Sequence, residues 1–222
     1  MTDPVTDPVT GPMTDLTPET MNRLFTRSDG AFLFARWGRP IVPVVFGADD
    51  ASLPAIKGGI EAVVALAGHK MAQTDPELGA NLMMFFFRDW AEVLDVPDLD
   101  RLVPGLAGIV EQMTSSGANQ YRVFRFDPDG AIRAAVVFVQ MDAALSEVPA
   151  QDLALFQAVQ TILLWSDRAF VDRAPLARAG AVAVVPPDLA AVIRAAYDPV
   201  LPHAARDPAH GLRLAARVLA GR

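Results

Sequence analysis

Few side chains in this chain are of the kinds that carry out chemistry, and they are scattered. The histidines are His69, His203 and His210, and there is no cysteine. Zinc requires nitrogen, oxygen or sulfur donors, usually four of them in a closed structural site. His203 and His210 are too few for such a site, and no thiolate can complete it, so neither metal nor other cofactor is expected. The absence of cysteine also excludes disulfides and thiol nucleophiles. The remaining candidates are acids and amides. Asp89 follows the apolar run Asn81 to Phe87, and strand ends in helix-covered sheets are common ligand positions. A carboxylate there could serve a hydrolase. A solvated turn with a local ion pair to Arg88 is the plainer reading, because nothing else in the sequence converges on that end. Gln157 and Gln160 are the polar candidates on the apolar stretch Gln151 to Ser166. Glycine-rich phosphate loops, the G-x-S-x-G elbow and H-E-x-x-H are all absent.

Charge excludes further classes. With 19 basic against 26 acidic residues the net charge is −7. Nucleic-acid binding needs clustered cations that displace counterions, and no basic run exists here. The same balance disfavours anionic lipid surfaces. Lys57 and Lys70 are the sole lysines beside a large excess of arginine and alanine. That pattern reads as codon bias, so arginine abundance is poor support for anion recognition. No stretch is long and apolar enough to span a bilayer, and the acidic, proline-rich start lacks the basic and apolar segments of a secretory signal. A soluble cytoplasmic protein is expected, with a protein or peptide as the conceivable partner.

The elements that must position these residues follow from local pattern. Residues 1–16, with the repeated Thr-Asp-Pro-Val, read as a disordered tail. Residues 17–222 read as a single α+β domain. Thr17 followed by Pro18 marks a helix start, running to about Arg27. Ile41 to Phe46 is a short β-branched strand that Pro43 pushes toward a sheet edge. Leu53 to Leu66 has helical spacing with Ile56, Ile60, Val63 and Val64 on one face, weakened at Gly58-Gly59. The continuous apolar run Asn81 to Phe87 suits a central strand covered on both faces, with a buried helix as the competing reading. Pro104-Gly105 divides residues 96–113 into a short and a longer helix. Asp127-Pro128-Asp129-Gly130 is a tight turn joining strands at 121–126 and 132–141. Arg122 and Arg125 fall on opposite faces of the first of these. Arg122 either snorkels from a half-buried face or projects into a groove, and snorkelling is the simpler reading. A helix over 151–166 follows, then a short strand at 181–185 and helices at 188–197 and from 207 to about 220. The expected fold is α+β, a mixed β-sheet of four or five strands packed with helices and a helical C-terminal part.

Several of these features resemble the bacterial DUF2927 proteins. They are Arg36-Trp37-Gly38-Arg39-Pro40 before an apolar strand, Ala80-Asn81-Leu82 opening a second, the hairpin at Asp127 to Gly130, Leu164-Trp165-Ser166-Asp167 closing a helix, and Tyr197-Asp198-Pro199 with Leu201. The resemblance implies a zincin-like fold in which the helix at 151–166 would carry the metal site. Laid on that pattern, Leu155 and Val159 stand at the histidine positions, Phe156 and Gln157 at the acidic ones, and Gln160 on a glutamine. Leucine and valine offer zinc no donor. Leu155, Val159, Ile162 and Leu163 instead form an apolar stripe, with Gln157, Gln160 and Thr161 on the opposite, solvated side. The implied function is a degenerate, non-catalytic metallopeptidase-like module for binding or regulation. The alternatives are an unrecognised hydrolase using carboxylates in a cleft, or a subunit of a larger assembly.

Overall fold

A computed structural model describes residues 16–221. The tail expected over residues 1–16 lies outside the described residues except for Leu16, which is buried in the core. In chain order the first elements are α1 (Pro18–Phe25), β1 (Phe34–Ala35), β2 (Pro43–Phe46), α2 (Leu53–Leu66) and β3 (Leu82–Phe87). A 3₁₀ helix over Trp90–Asp95 leads to α3 (Leu99–Leu102), α4 (Leu106–Ser116) and the hairpin β4 (Gln120–Phe126) and β5 (Ile132–Gln140). Then come α5 (Ala143–Ser146), α6 (Ala150–Ile162), β6 (Ala177–Ala179), β7 (Val182–Val184), α7 (Pro187–Ala196), β8 (Ala204–Ala205) and α8 (Ala209–Ala220).

The fold is α+β. Its main sheet has four strands in the order β2-β3-β5-β4, parallel across the first three and antiparallel at the hairpin. Side chains alternate across a strand, so β3 sends Leu82, Met84 and Phe86 to one face, and Phe85 and Phe87 to the other. β5 divides in the same way, with Val137 and Val139 opposite Val136 and Phe138. The first face meets α2 and α6; the second meets the 3₁₀ helix, α3 and α4. Burial on both sides is why these strands read as continuous apolar runs. β2 lies at a sheet edge and Pro43 is its first residue, a place where a missing N–H costs no ladder bond. At the hairpin turn, Gly130 holds φ at 85° and its N–H donates to the Asp127 carbonyl at 2.8 Å.

Local signals place the helices, and packing explains where they depart from expectation. Thr17 Oγ1 accepts the Thr20 N–H at the start of α1. The Gly58-Gly59 pair sits inside α2 as anticipated, but Gly59 has a packing role. A Cβ there would lie 2.7 Å from Ala154 Cβ and 2.9 Å from the α6 backbone, so the glycine is what lets α2 and α6 touch. The helix expected over 151–166 stops at Ile162. Leu163 bridges to Arg36, the Leu164 N–H donates to the Ala35 carbonyl at 2.9 Å, and Trp165 Nε1 donates back to the Val159 carbonyl at 2.7 Å. Pairing with the segment after β1 therefore competes with, and ends, the helix.

The Arg36-Trp37-Gly38-Arg39-Pro40 segment ties the helices to the N-terminal ends of the parallel strands. Arg36 is buried and donates to the carbonyls of Tyr197 at 3.4 Å and Leu201 at 3.0 Å. Trp37 Nε1 donates to the Thr161 carbonyl at 2.8 Å, and Tyr197 Oη donates to the Ile162 carbonyl at 2.9 Å. Arg39 pairs with Asp127 at 2.9 Å and with Asp75 at 3.4 Å. Asn81, fully buried, accepts from the Val42 N–H and donates to the Pro40 carbonyl and Asp75. Most of these buried polar atoms are satisfied within the fold, as low-dielectric surroundings demand, the exceptions being Nε of Arg36 and of Arg39.

Candidate functional site

β4 forms an edge of the sheet, and its alternation directs Gln120, Arg122 and Phe124 toward α6. Phe124 joins the core there. Gln120 and Arg122 meet Phe156 and Gln157, which α6 presents on consecutive positions. Arg122 Nη2 donates to Gln120 Oε1 at 2.9 Å and to Gln157 Oε1 at 2.6 Å. Gln157 Nε2 donates to Gln120 Oε1 at 2.8 Å. The guanidinium carbon lies 5.9 Å from the Phe156 ring centroid, within reach of a cation–π contact. A guanidinium has only donors, so it turns both amide oxygens toward itself. The amide nitrogen of Gln120 is thereby directed away and makes no hydrogen bond among the described residues.

Among the described residues no carboxylate pairs with Arg122. Its Nε is buried without a partner. Burial alone pushes its pKa down to about 10, with no neighbouring anion acting against it. Arg27, Arg36 and Arg39 share an unpartnered buried Nε, but Arg36, Arg39 and Arg173 have compensation that Arg122 lacks. Arg39 and Arg173 pair with aspartates. Arg36 is held by two carbonyls, and the charge of Asp198 opposes its desolvation.

A cavity of about 280 Å³ opens beside this cluster. Its apolar wall is made by Leu145, Val148, Leu153, Phe156, Leu176 and Ala183. Gln120 supplies one polar group, and the Asp152–Arg178 ion pair, 2.8 Å long, supplies another. Arg178 is exposed, so this pair marks the solvent side. Gln120 and Phe156 line the cavity and also contact the Arg122 guanidinium, placing the charge immediately behind the wall.

The amides expected on a solvated face of α6 are not there. Gln157 is 0% exposed and Thr161 2%, while Gln160 is half-buried. The reason is that α6 is covered by the sheet on one side and by α2 on another. Thr161 Oγ1 returns its proton to the Gln157 carbonyl at 2.8 Å, the usual way a buried helical threonine is satisfied. Val159, Ile162 and Leu163 are core residues as their spacing implied, whereas Leu155 is half-buried against the core. Arg122 is half-buried, as its position implied, and its guanidinium is held by the two glutamine amides. Asp89 is exposed and accepts the Ala91 N–H at 2.8 Å, capping the 3₁₀ helix. It is separated from Gln157 and Gln160, since α6 packs on the opposite face of the sheet from that helix.

The histidines are also separated in role. His69 donates from Nε2 to the Arg39 carbonyl at 2.8 Å, and burial lowers its pKa. His203 Nδ1 lies 3.3 Å from Asp129 in the hairpin turn. His210 is 2% exposed, its ring 4.3 Å from that of Phe34, and neither nitrogen has a partner. Among the described residues no group of three or more histidines and acids is placed to hold a metal, and no helix is long and apolar enough to cross a membrane. Gln120, Asp152 and Arg178 escaped the sequence reading. The available signal was the alternation that puts Gln120 on the same strand face as Arg122. No family model matches the chain, and no curated protein or solved structure matches it.

Two outcomes follow from these groups. Arg122→Met should destabilise by about 1–3 kcal/mol, because it leaves the Gln157 oxygen buried and unpaired. Adding Gln157→Leu should restore or exceed the original stability, since apolar replacement of a buried charge cluster is often neutral or better. Urea unfolding measures both; a double variant still weaker by more than about 2 kcal/mol would show that the cluster serves stability. Burial beside Arg213 and Arg36 lowers the His210 pKa from 6.5 to about 4. Above 6.5 the ring is neutral in both states. As pH falls from there, the unfolded chain takes up a proton that the folded chain refuses, so stability is lost down to about 4. The loss should reach about 2–3 kcal/mol by about pH 4.5 and be absent in His210→Leu, read as the difference in unfolding free energy between about pH 7.5 and 4.5.

Proposed function

We propose that this chain is a non-catalytic binding module, and that the cavity between β4, α6 and the β6–β7 ribbon is its binding site. The observation that carries this reading is a largely apolar cavity with a few polar groups converging on it, the usual make-up of a small-ligand site. At about 280 Å³ it stands at the lower edge of the ~300–1,000 Å³ typical of such sites, which suits a small molecule better than a peptide.

What the candidate catalytic residues do supports the same reading. Asp89 caps a helix, Gln157 is engaged by Arg122 and Gln120, and Gln160 is half-buried on α6. On the DUF2927 resemblance α6 would be the metal-bearing helix, and its Leu155 and Val159 provide no ligand atoms. A degenerate peptidase-like scaffold turned to binding is consistent with that. A cytoplasmic setting without nucleic-acid partners belongs to the same proposal, supported by the net charge of −7.

Small straight-chain alcohols test the cavity directly. 1-Hexanol should raise the melting temperature of the protein, because a ligand that binds only the folded state stabilises it by mass action. Ala183→Phe, which fills the cavity, should remove the shift while leaving circular dichroism unchanged. An equal shift in both proteins, or none in either, would overturn the assignment of the cavity. One zinc per purified chain, with peptidase activity, would overturn the non-catalytic reading.

A further inference from the structure

Arg122 is a half-buried cation with no anion paired to it among the described residues, and it lies behind the wall of the cavity. Taking a guanidinium out of water is costly, and its usual compensation is a carboxylate or phosphate. Here two amide oxygens share Nη2, while Nε and Nη1 make no hydrogen bond among the described residues. Gln120, which lines the cavity, keeps its Nε2 donors unspent, and the Arg122 guanidinium lies behind it. The Gln120 oxygen accepts two hydrogen bonds from the cluster, which polarises its amide so that the outward N–H groups become better donors.

Resting on the binding reading above, we infer that the cavity takes a small apolar monocarboxylate. The carboxylate accepts from Gln120 Nε2, with the Arg122 charge directly behind that amide, and the hydrocarbon body lies against Leu145, Val148, Leu153 and Phe156. A single negative charge matches the single unpaired guanidinium. A phosphate dianion would bring a second charge for which the inner wall holds no partner. A neutral ligand would leave the buried charge as it is. The second cation, Arg178, is already engaged by Asp152 and is exposed, so it compensates little at the inner end.

Octanoate and 1-octanol, equal in length and differing in head group, separate the two levels of the proposal. Binding of each is measured by isothermal titration calorimetry at low ionic strength to the full chain, to the Arg122→Met/Gln157→Leu double variant, and to Arg178→Gln. The expected result is octanoate binding at least roughly tenfold tighter than octanol in the unaltered protein, the size of a charge-assisted hydrogen bond to a desolvated partner. The preference should vanish in the double variant and survive in Arg178→Gln. Equal binding of the two probes would overturn the carboxylate inference and leave the binding module standing. A preference that survives in the double variant and disappears in Arg178→Gln would overturn it too, by moving the anion to the mouth. Binding of neither probe would overturn both levels. Because the double variant is expected to be as stable as the parent, its circular dichroism and unfolding midpoint establish that any lost preference is not lost folding.

Discussion

Helix α6 lies between the sheet and α2, and most of the remaining architecture follows from enclosing it. Gly59 lets α2 come within touching distance, and the segment from Leu163 to Trp165 is pulled into extended pairing beside Ala35 and Arg36. With cover on two sides, any polar group on α6 that faces the sheet must be satisfied inside the protein. Thr161 solves this within its own helix, through the Gln157 carbonyl. Gln157 solves it through β4, and so brings Arg122 and Gln120 into one hydrogen-bonded cluster. The cavity opens where α6 leaves the edge strand and meets α5 and the β6–β7 ribbon.

Much of the fold was legible because it is written locally. Thr17-Pro18, the turn at Asp127 to Gly130, and the spacing of Ile56, Ile60, Val63 and Val64 each determine their element through short-range chemistry. The apolar run of β3 also announced its place at the centre of the sheet. The site was less legible because it depends on what lies across from each residue. Gln157 and Thr161 form a polar face on a helical projection, and the projection cannot say that another element covers that face. The same limit applied to Arg122. A half-buried strand arginine ordinarily carries its charge to water, and only the meeting of β4 with α6 turns the guanidinium inward. Helix endings failed for a related reason: nothing in Leu163-Leu164-Trp165 forbids a helix, and a tertiary partner ends it.

The distribution of charge separates structural from functional roles. Arg39, Asp75, Asp127 and Asn81 form a closed network at the N-terminal ends of the parallel strands, where each charge has an opposite one. Arg36 is compensated by carbonyls at the end of α7 and by the nearby charge of Asp198. Both arrangements pin elements together. Arg122 differs on each count. It pairs with no acid among the described residues, only burial moves its pKa, and two side chains that touch it, Gln120 and Phe156, also line an apolar cavity. A charge kept in such a place without a counter-ion is a poor device for stability. It is a suitable one for a ligand that brings the missing charge with it.

The central claim is that an anionic ligand completes the Arg122 cluster. A crystal structure of the protein soaked with octanoate tests this most directly. The account predicts the carboxylate within hydrogen-bonding distance, about 3 Å, of Gln120 Nε2, with the alkyl chain along Leu153 and Phe156. Electron density placing the head group at Arg178 with the chain pointing to solvent, or leaving the cavity occupied by water alone, would contradict it.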